Sequence, residues 1–306
     1  MTTKPMAMLF LYSFCCTHAF SQDYFYNNRY YDKDFLFEIN ASAGAMNCLT
    51  DLGGRSGEGK GFLKDLNFAN TKLNVGTSAG FVYLYTLGAR LEFNAGTITA
   101  SDDVLKNDQS AGGINRYKRN LQFRSNIYEL LFLVEYYPLS HLLFNDDKRS
   151  RVSPYITGGI GMFHFNPQTY LQNERINLQP LHTEGQGFTE YSDRSPYKLT
   201  QVSFPVGAGI KYELSPLYNL RLEVIHRITT TDYLDDVSTR YIDPTLFQKY
   251  LTPENANLAI QLHDRQGEID PGHITQPGSI RGRDAKNDSY FTLQLKIAII
   301  LGRELR

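Results

Sequence analysis

Apolar and polar residues alternate most regularly near the end of the chain, in residues 290–299. The odd positions are Phe291, Leu293, Leu295, Ile297 and Ile299, whereas the even positions from 292 to 298 carry Thr, Gln, Lys and Ala in turn. A period of two places successive side chains on opposite faces of a β-strand. About ten residues is also the length with which a tilted strand crosses the hydrocarbon of a bilayer. The segment therefore predicts a membrane-crossing strand.

Seven further segments have a similar pattern: residues 35–43, 75–85, 87–95, 128–136, 155–165, 204–213 and 220–228. Two of them, 75–85 and 155–165, are rich in glycine, so the pattern leaves open which of their faces is apolar. Eight strands is an even number, as in single-chain outer-membrane barrels. The predicted fold class is all-β, an eight-stranded antiparallel transmembrane β-barrel.

The spacing of these segments adds an independent indication. Long gaps follow the first, third, fifth and seventh strands, and shorter gaps follow the second, fourth and sixth. Long loops on one side and short turns on the other are typical of outer-membrane barrels. With both termini in the periplasm, every long loop lies outside the cell. A β-sandwich has no reason to segregate its loops in this way.

The polar faces of the strands carry six acidic and five basic residues. They are Glu38, Glu92, Glu129, Glu135, Glu213, Glu223, Arg90, Lys211, Arg221, Arg227 and Lys296. An Arg or Lys facing lipid costs about 2–4 kcal/mol at the midplane, so we expect the apolar faces outside and the charges inside. Balanced charges in a narrow barrel predict a cross-braced lumen instead of a conducting pore. The alternative is that they form the wet face of a soluble sheet.

The N-terminus resembles an export signal. Lys4 precedes a short apolar segment, residues 6–16, and Ala19 and Ser21 fit the small-x-small cleavage pattern. We therefore divide the chain into a signal peptide, 1–21, and a barrel domain, 22–306. Lipid attachment at Cys15 or Cys16 is the less favoured alternative. No later segment has about 18 consecutive apolar residues, so no transmembrane helix is expected.

Cleavage near residue 21 would leave Cys48 as the single cysteine of the mature chain. No disulfide within the chain is then expected, although a pairing of Cys48 with another chain stays open.

Composition narrows the class of partner. Lys and Arg number 31 against 32 Asp and Glu, which gives no electrostatic reason to expect nucleic acid. The aromatic residues are 21 Tyr and 19 Phe without Trp, and tyrosine suits a boundary between membrane and water.

Few residues suggest chemistry. Residues 54–61 read GRSGEGKG, but Gly61 stands where a P-loop needs Ser or Thr to hold magnesium, so a surface loop is favoured. His182 and Glu184 lie close together without a third ligand or a nucleophile. We expect no enzyme and no cofactor, although acid–base catalysis at the rim of the barrel stays as a third hypothesis.

Three carboxylates cluster just after the seventh strand, at Asp232, Asp235 and Asp236. Closely spaced carboxylates can hold calcium. Asp and Ser also cap turns and short helices, and this second interpretation is favoured.

Several stretches occur together in a characteristic order. They are RNLQF at 119–123, PYITGGIG at 154–161, LQPLHTEGQG at 178–187, TDYLDDVS at 231–238 and RG at 281–282. In this the chain resembles the PorG family of outer-membrane proteins from the type IX secretion system of Bacteroidetes. The resemblance implies a small barrel that ties a periplasmic ring, built from the PorK and PorN proteins, to the outer membrane. That machinery exports proteins and, in some species, supports gliding. The resemblance implies no catalytic residues.

The expected function is thus a non-enzymatic secretion component, whose partners are outer-membrane lipid and ring proteins of the PorK and PorN type. No nucleic acid and no small-molecule substrate is expected. If the barrel contacts a periplasmic ring, the accessible surfaces are the short turns, above all 138–151, and the two termini; for the turn 138–151 an ordinary solvated turn is the equal alternative. Its charged residues are Asp146, Asp147, Lys148, Arg149 and Arg151. A small OmpA-like structural barrel, narrow channel or adhesin is the alternative function.

Overall fold

A computed structural model describes residues 34–53, 68–139, 151–283 and 286–301. The predicted signal peptide, the glycine-rich segment 54–61 and the part of the 138–151 turn from 140 to 150 lie outside the described residues.

Eight long strands form the body of the protein. They are β1 (Phe35–Leu49), β2 (Lys72–Tyr83), β3 (Leu87–Ser101), β4 (Gln122–Tyr136), β5 (Val152–His164), β8 (Thr200–Glu213), β9 (Tyr218–Thr229) and β10 (Ser289–Leu301). The described part of the loops adds a small hairpin and three short α-helices. These are β6 (Gln168–Leu171), β7 (Glu174–Asn177), α1 (Ala111–Arg119), α2 (Thr245–Tyr250) and α3 (Pro253–Leu262).

The long strands close into a barrel. Their order is β3-β2-β1-β10-β9-β8-β5-β4, and a further pairing between β3 and β4 joins the two ends. All these pairings are antiparallel. Closure satisfies the backbone hydrogen bonds that a sheet edge would leave open in lipid. The predicted eight-stranded antiparallel barrel is confirmed.

The outer face of the barrel is apolar, as the alternation requires. Exposed side chains include Phe37 and Ile39 on β1 and Leu293, Leu295 and Ile297 on β10. The two glycine-rich strands follow the same rule. Leu73, Val75 and Phe81 of β2 and Ile156, Ile160 and Met162 of β5 are exposed.

Aromatic side chains lie around the barrel at the end where the short turns are. They are Phe35, Tyr83, Tyr136, Tyr212 and Tyr218. Four of them are the first or last residue of a strand, and Tyr212 is the last residue but one of β8. Together they form a belt at one membrane boundary. An apolar wall with such a belt is the surface of a transmembrane barrel.

Towards the long-loop end the pattern inverts. On β3, the exposed Leu91 and Phe93 give way to half-buried Thr97 and Thr99 on the outer face, while Ile98 is completely buried inside. Here the strands have a polar outside and an apolar inside, as in a water-soluble protein. The buried apolar cluster at this level contains Met46, Cys48, Leu52, Ile98, Ala100, Leu121, Phe123, Ile127, Phe163, Phe165, Tyr197, Leu234, Val237 and Tyr290. The part of the barrel next to the long loops therefore lies outside the lipid bilayer.

The helices lie in the long loops. α3 begins with Thr252 as N-cap, whose side chain accepts a hydrogen bond from the Asn255 amide, and Pro253 occupies its first turn. Among the described residues, no helix has the length and apolar character needed to cross a membrane.

Candidate functional site: a sealed barrel interior and a folded loop cap

The interior begins with an apolar layer at the short-turn end. Val82, Tyr137 and Tyr155 pack together there and are almost fully buried. The rings of Tyr137 and Tyr155 lie 5.2 Å apart. Lys211 lies over the Tyr137 ring, with its Nζ 4.7 Å from the ring centre. This layer separates the charged interior from the turns.

The first ionic group lies directly above that layer. Arg221 pairs with Glu38 on β1 and with Glu135 on β4, with 2.8 Å between its Nη1 and the Glu135 carboxylate. Arg90 also pairs with Glu135, and the Lys211 Nζ lies 3.6 Å from Glu38. Since these residues come from five different strands, the pairs brace the barrel across its diameter.

A second ionic group adjoins the first and shares Arg90 with it. Arg90 reaches Glu92 at 2.8 Å and Glu223 at 2.6 Å. Lys296 Nζ lies 2.5 Å from Glu92 and 2.6 Å from Glu223. The hydroxyl of Tyr155 donates a hydrogen bond to Glu223 at 2.8 Å, which links this group to the apolar layer.

Amide side chains and a further ion pair, between Arg227 and Glu129, occupy the rest of the barrel interior. The amide of Asn94 donates to both Glu92 and Glu129 at 2.9 Å. Arg227 pairs with Glu129, with 2.6 Å between Nη2 and Oε1, and the Tyr290 hydroxyl donates to the same carboxylate at 2.7 Å. The interior is therefore filled from the short-turn end to the apolar cluster above it.

The structure places most of the predicted inward charges in this filling. The fully buried ones are Glu38, Glu92, Glu129, Glu135, Glu223, Arg90, Lys211, Arg221, Arg227 and Lys296. Glu213 differs, because it is the last residue of β8 and is half-buried. The buried set thus contains five acids and five bases. An unpaired charge in such an interior is very costly, and pairing offsets that cost.

The long loops fold into a cap with its own apolar core. Its buried residues come from two loops: Leu178, Leu181, Phe188, Ile242, Phe247, Ala256, Ala259 and Leu262. Phe188 stacks on Tyr250, with ring centres 4.3 Å apart and planes 14° apart. This packing joins the β5–β8 loop to the β9–β10 loop, which contains α2 and α3.

Two buried arginines tie the loops together. Arg119 binds the Asp102 carboxylate through two hydrogen bonds of 2.8 Å and donates to the carbonyls of Asp51 and Arg281. Arg281 donates to Glu184 at 2.9 Å and to the Asp236 carbonyl at 2.6 Å. Together they connect all four long loops, so the cap is one cross-linked body.

The carboxylates considered for calcium do not converge. Asp232 accepts from the Ser238 hydroxyl at 2.7 Å, and Asp235 accepts from the Leu52 amide at 3.1 Å. Asp236 accepts from a threonine and a tyrosine of the β5–β8 loop. Within the described ranges, no group of three His, Cys, Asp or Glu residues has the arrangement of a metal site. Two of the three aspartates, Asp235 and Asp236, accept hydrogen bonds from other loops.

Several of these carboxyls are protonated more readily than usual. Burial raises the pKa of Asp235 to about 8, and the nearby Asp51 carboxylate adds to this effect. Burial also raises the pKa of Asp51 to about 6. For Asp236 burial raises the pKa to about 6, although Arg281 opposes the rise. The folded cap therefore holds protons at pH values where exposed aspartates are fully ionised.

Other residues singled out from the sequence lie in described parts of the loops and strands. His182 ends a short 3-10 helix with a left-handed backbone, at φ 46°. Glu184 is fully buried and accepts from the backbone amides of Ser238 and Thr239 as well as from Arg281. Cys48 is a free, buried thiol. Of the predicted docking turn, only Arg151 among the charged residues lies within the described part, where its carbonyl accepts from the Glu213 amide at 3.0 Å.

The cap arginines were missed by the sequence reasoning. Arg119, Asp102 and Arg281 are distant in sequence and lie outside the alternating segments. Arg119 and Arg281 belong to motifs that carried the family resemblance, which was the available signal.

These features define the class of the protein as an eight-stranded transmembrane β-barrel with a sealed interior and a folded loop cap. Residues 36–243 match the sequence model of a family described as "Domain of unknown function (DUF6089)", and the chain belongs to this family. The match runs from β1 past β9 and so includes most of the barrel. No curated protein sequence matches the chain.

Solved structures with some likeness are outer-membrane proteins. Neisserial surface protein A has a TM-score of 0.37 at 10% identity, with 87% of this chain and 97% of that chain covered. A major outer membrane protein from Thermus thermophilus has 0.39 at 15%, covering 88% and 100%. OprG from Pseudomonas aeruginosa has 0.40 at 9%, covering 88% and 97%. These scores are low, and the barrel assignment rests on the strand pairing described above.

Proposed function

We propose that this protein is a non-enzymatic component of the outer membrane that acts by binding partners at its ends. The observation that carries the proposal is the sealed interior, in which five acidic and five basic side chains are buried and paired. Moving a solute through the barrel would require several of these pairs to break. Function then has to reside at the surfaces that the barrel presents on the two sides of the membrane.

The proposed location is the outer membrane, with the short turns in the periplasm and the cap outside the cell. An apolar wall, the aromatic belt and the export signal expected at the N-terminus all support it. The resemblance to the PorG family then supplies the partner. We propose that the short-turn end anchors a periplasmic ring of PorK and PorN type, within the type IX secretion machinery and its gliding function.

Co-purification from native membranes tests the anchor. We expect ring proteins to be recovered with the wild-type barrel after mild crosslinking and detergent extraction. Serine replacement of all five charged residues of the short turn should reduce that recovery at least tenfold. They are Asp146, Asp147, Lys148, Arg149 and Arg151.

A matched control alters charge at the opposite end. Glu190 and Lys249 form an exposed pair in the cap, 2.6 Å apart, and their replacement by serine should leave ring recovery unchanged. Equal recovery from the turn variant and the wild type would remove the turn from the proposal. Absence of any ring protein in the wild-type sample would refute the anchor itself.

A structural or adhesin-like barrel is the second candidate, and the ordered cap favours it. Four cross-linked loops make a rigid surface outside the membrane, which suits contact with another molecule. A channel is disfavoured by the same sealed interior. In planar bilayers we expect no unitary conductance, and stable conductance steps would contradict both candidates.

A further inference from the structure

A small cavity lies inside the barrel close to its short-turn end. Its volume is about 10 Å³, and its lining includes Glu38, Asn40, Val82, Arg90 and Arg221. This is about the smallest space that accepts one water molecule. Gly80 of β2 and Ala89 of β3 also line it.

Three side-chain atoms of the residues that line the cavity have no hydrogen-bond partner among the described residues, and one of them, Nη1 of Arg90, lies in the ion pair with Glu135. Of the other two, one is an acceptor, Oδ1 of Asn40, and one is a donor, Nε of Arg221. Asn40 and Arg221 are only 3% and 2% exposed, so bulk water does not reach them. Buried polar groups of this kind are satisfied in nearly all folded proteins, and leaving both unsatisfied would destabilise the barrel.

Size and charge decide which ligand suits the cavity. Its lining carries two carboxylates, Glu38 and Glu135, and two guanidinium groups, Arg90 and Arg221. Because these charges balance and already pair with one another, the cavity offers no net field to hold an ion. A water molecule both donates and accepts, which matches one free acceptor and one free donor.

We propose that this cavity is a binding site for one ordered water molecule. The water accepts a hydrogen bond from Nε of Arg221 and donates one to Oδ1 of Asn40. Its second hydrogen faces the carboxylates of Glu38 and Glu135, which complete the usual three or so partners of a buried water. The site is independent of the proposed function.

The water is a fixed part of the ionic filling and not a step in a channel. Val82, which lines the cavity, packs with Tyr137 and Tyr155 in the apolar layer at the short-turn end. On the other side stand the pairs that Arg90 makes with Glu92 and Glu223. Both sides are closed, so we expect slow exchange of this water with the solvent.

Nuclear magnetic resonance of the barrel in lipid nanodiscs tests the site. With ¹⁵N-labelled arginine and asparagine, magnetisation transfer from water to Hε of Arg221 and to the side-chain amide of Asn40 should give cross-peaks of the sign that marks a long-lived water. Absence of both cross-peaks in the wild-type protein would show a dry cavity and overturn the proposal.

A pair of variants localises the water. Val82→Ile adds one methylene group to the lining and should abolish both cross-peaks, because the cavity has room for a single small occupant. Ala79→Val enlarges an outward-facing residue of the same strand and should leave them intact. Both variants are first checked for a folded barrel by heat-modifiable migration in gels. Cross-peaks that persist in folded Val82→Ile would place the water elsewhere and overturn this assignment.

Discussion

Removal of one buried cation gives the sharpest test of how the barrel interior is held. Arg227 is completely buried and binds Glu129 through Nη2, at 2.6 Å, and through Nε, at 3.2 Å. Its Nη1 donates to the Ile225 carbonyl at 2.9 Å and to the Thr292 hydroxyl at 2.5 Å. Arg227→Met keeps much of the side-chain volume but leaves a carboxylate in the interior without its cation.

The expected loss follows from what Glu129 retains. Removing one partner of a buried pair costs about 3–5 kcal/mol, since the remaining charge stays desolvated. Asn94 and Tyr290 still donate to Glu129, at 2.9 and 2.7 Å. These two hydrogen bonds compensate in part, so we expect a loss near the lower bound, about 3 kcal/mol. Replacing both partners, Glu129→Gln with Arg227→Met, should recover most of that loss.

Urea unfolding in lipid vesicles measures these differences, with circular dichroism at equilibrium as the signal. Lys249→Met breaks an exposed pair with Glu190 and serves as the control, with an expected change of less than about 1 kcal/mol. A loss below about 1 kcal/mol for Arg227→Met would refute a braced interior. A double variant that is no more stable than Arg227→Met would also refute it, because the loss of stability would then not come from an unpaired Glu129.

Three further predictions concern the cap. The folded-state pKa of Asp235 is about 8 against an ordinary value of 3.8, so the folded cap retains a proton that the unfolded chain releases, and its stability should fall as the pH rises from about 4 to 8. Protection of the Leu52 amide against hydrogen exchange, corrected for the intrinsic rate at each pH, should show this fall. Asp235→Asn should make the fall smaller, while the raised pKa values of Asp51 and Asp236 keep part of it. Arg281→Gln should leave Glu184 buried without its cation and make the cap sensitive to protease while the barrel stays folded, so an unchanged digestion pattern would contradict the arginine's linking role. Thr252→Ala removes the N-cap of α3 and should cost about 1 kcal/mol, measured by local hydrogen exchange, with equal exchange in both proteins as the opposing result.

The barrel was predictable because its pattern is local. In each strand the side chains alternate between lipid and interior, so a run such as residues 290–299 already indicates which face meets which environment. The inward direction of residues such as Glu92 and Lys296 follows from the same alternation, since a charge facing lipid is too costly. In the glycine-rich strands the alternation was interrupted, and only the strand pairing showed that Ile156 and Ile160 face outward.

Which charge pairs with which depends on positions far apart in the chain. Arg90 meets Glu223, and Arg221 meets Glu38, because closure of the barrel brings their strands face to face across a narrow interior. The alternation gives no register between non-adjacent strands, so these partners could not be read from it. The alternation along β8 predicts that Glu213 faces the interior. Glu213 is the last residue of that strand, however, where the barrel opens.

The sequence by itself determined the barrel, the orientation of its apolar faces and the sign of the charges inside, because each depends on the two-residue period of a strand in lipid. The cap was decided only by tertiary structure. Arg119 and Arg281 belong to no alternating segment. Their structural role depends on carbonyl and carboxylate groups that other loops supply. Long-range packing of this kind leaves little local signal, since the partners of a buried cation are chosen by the fold and not by neighbours in the chain.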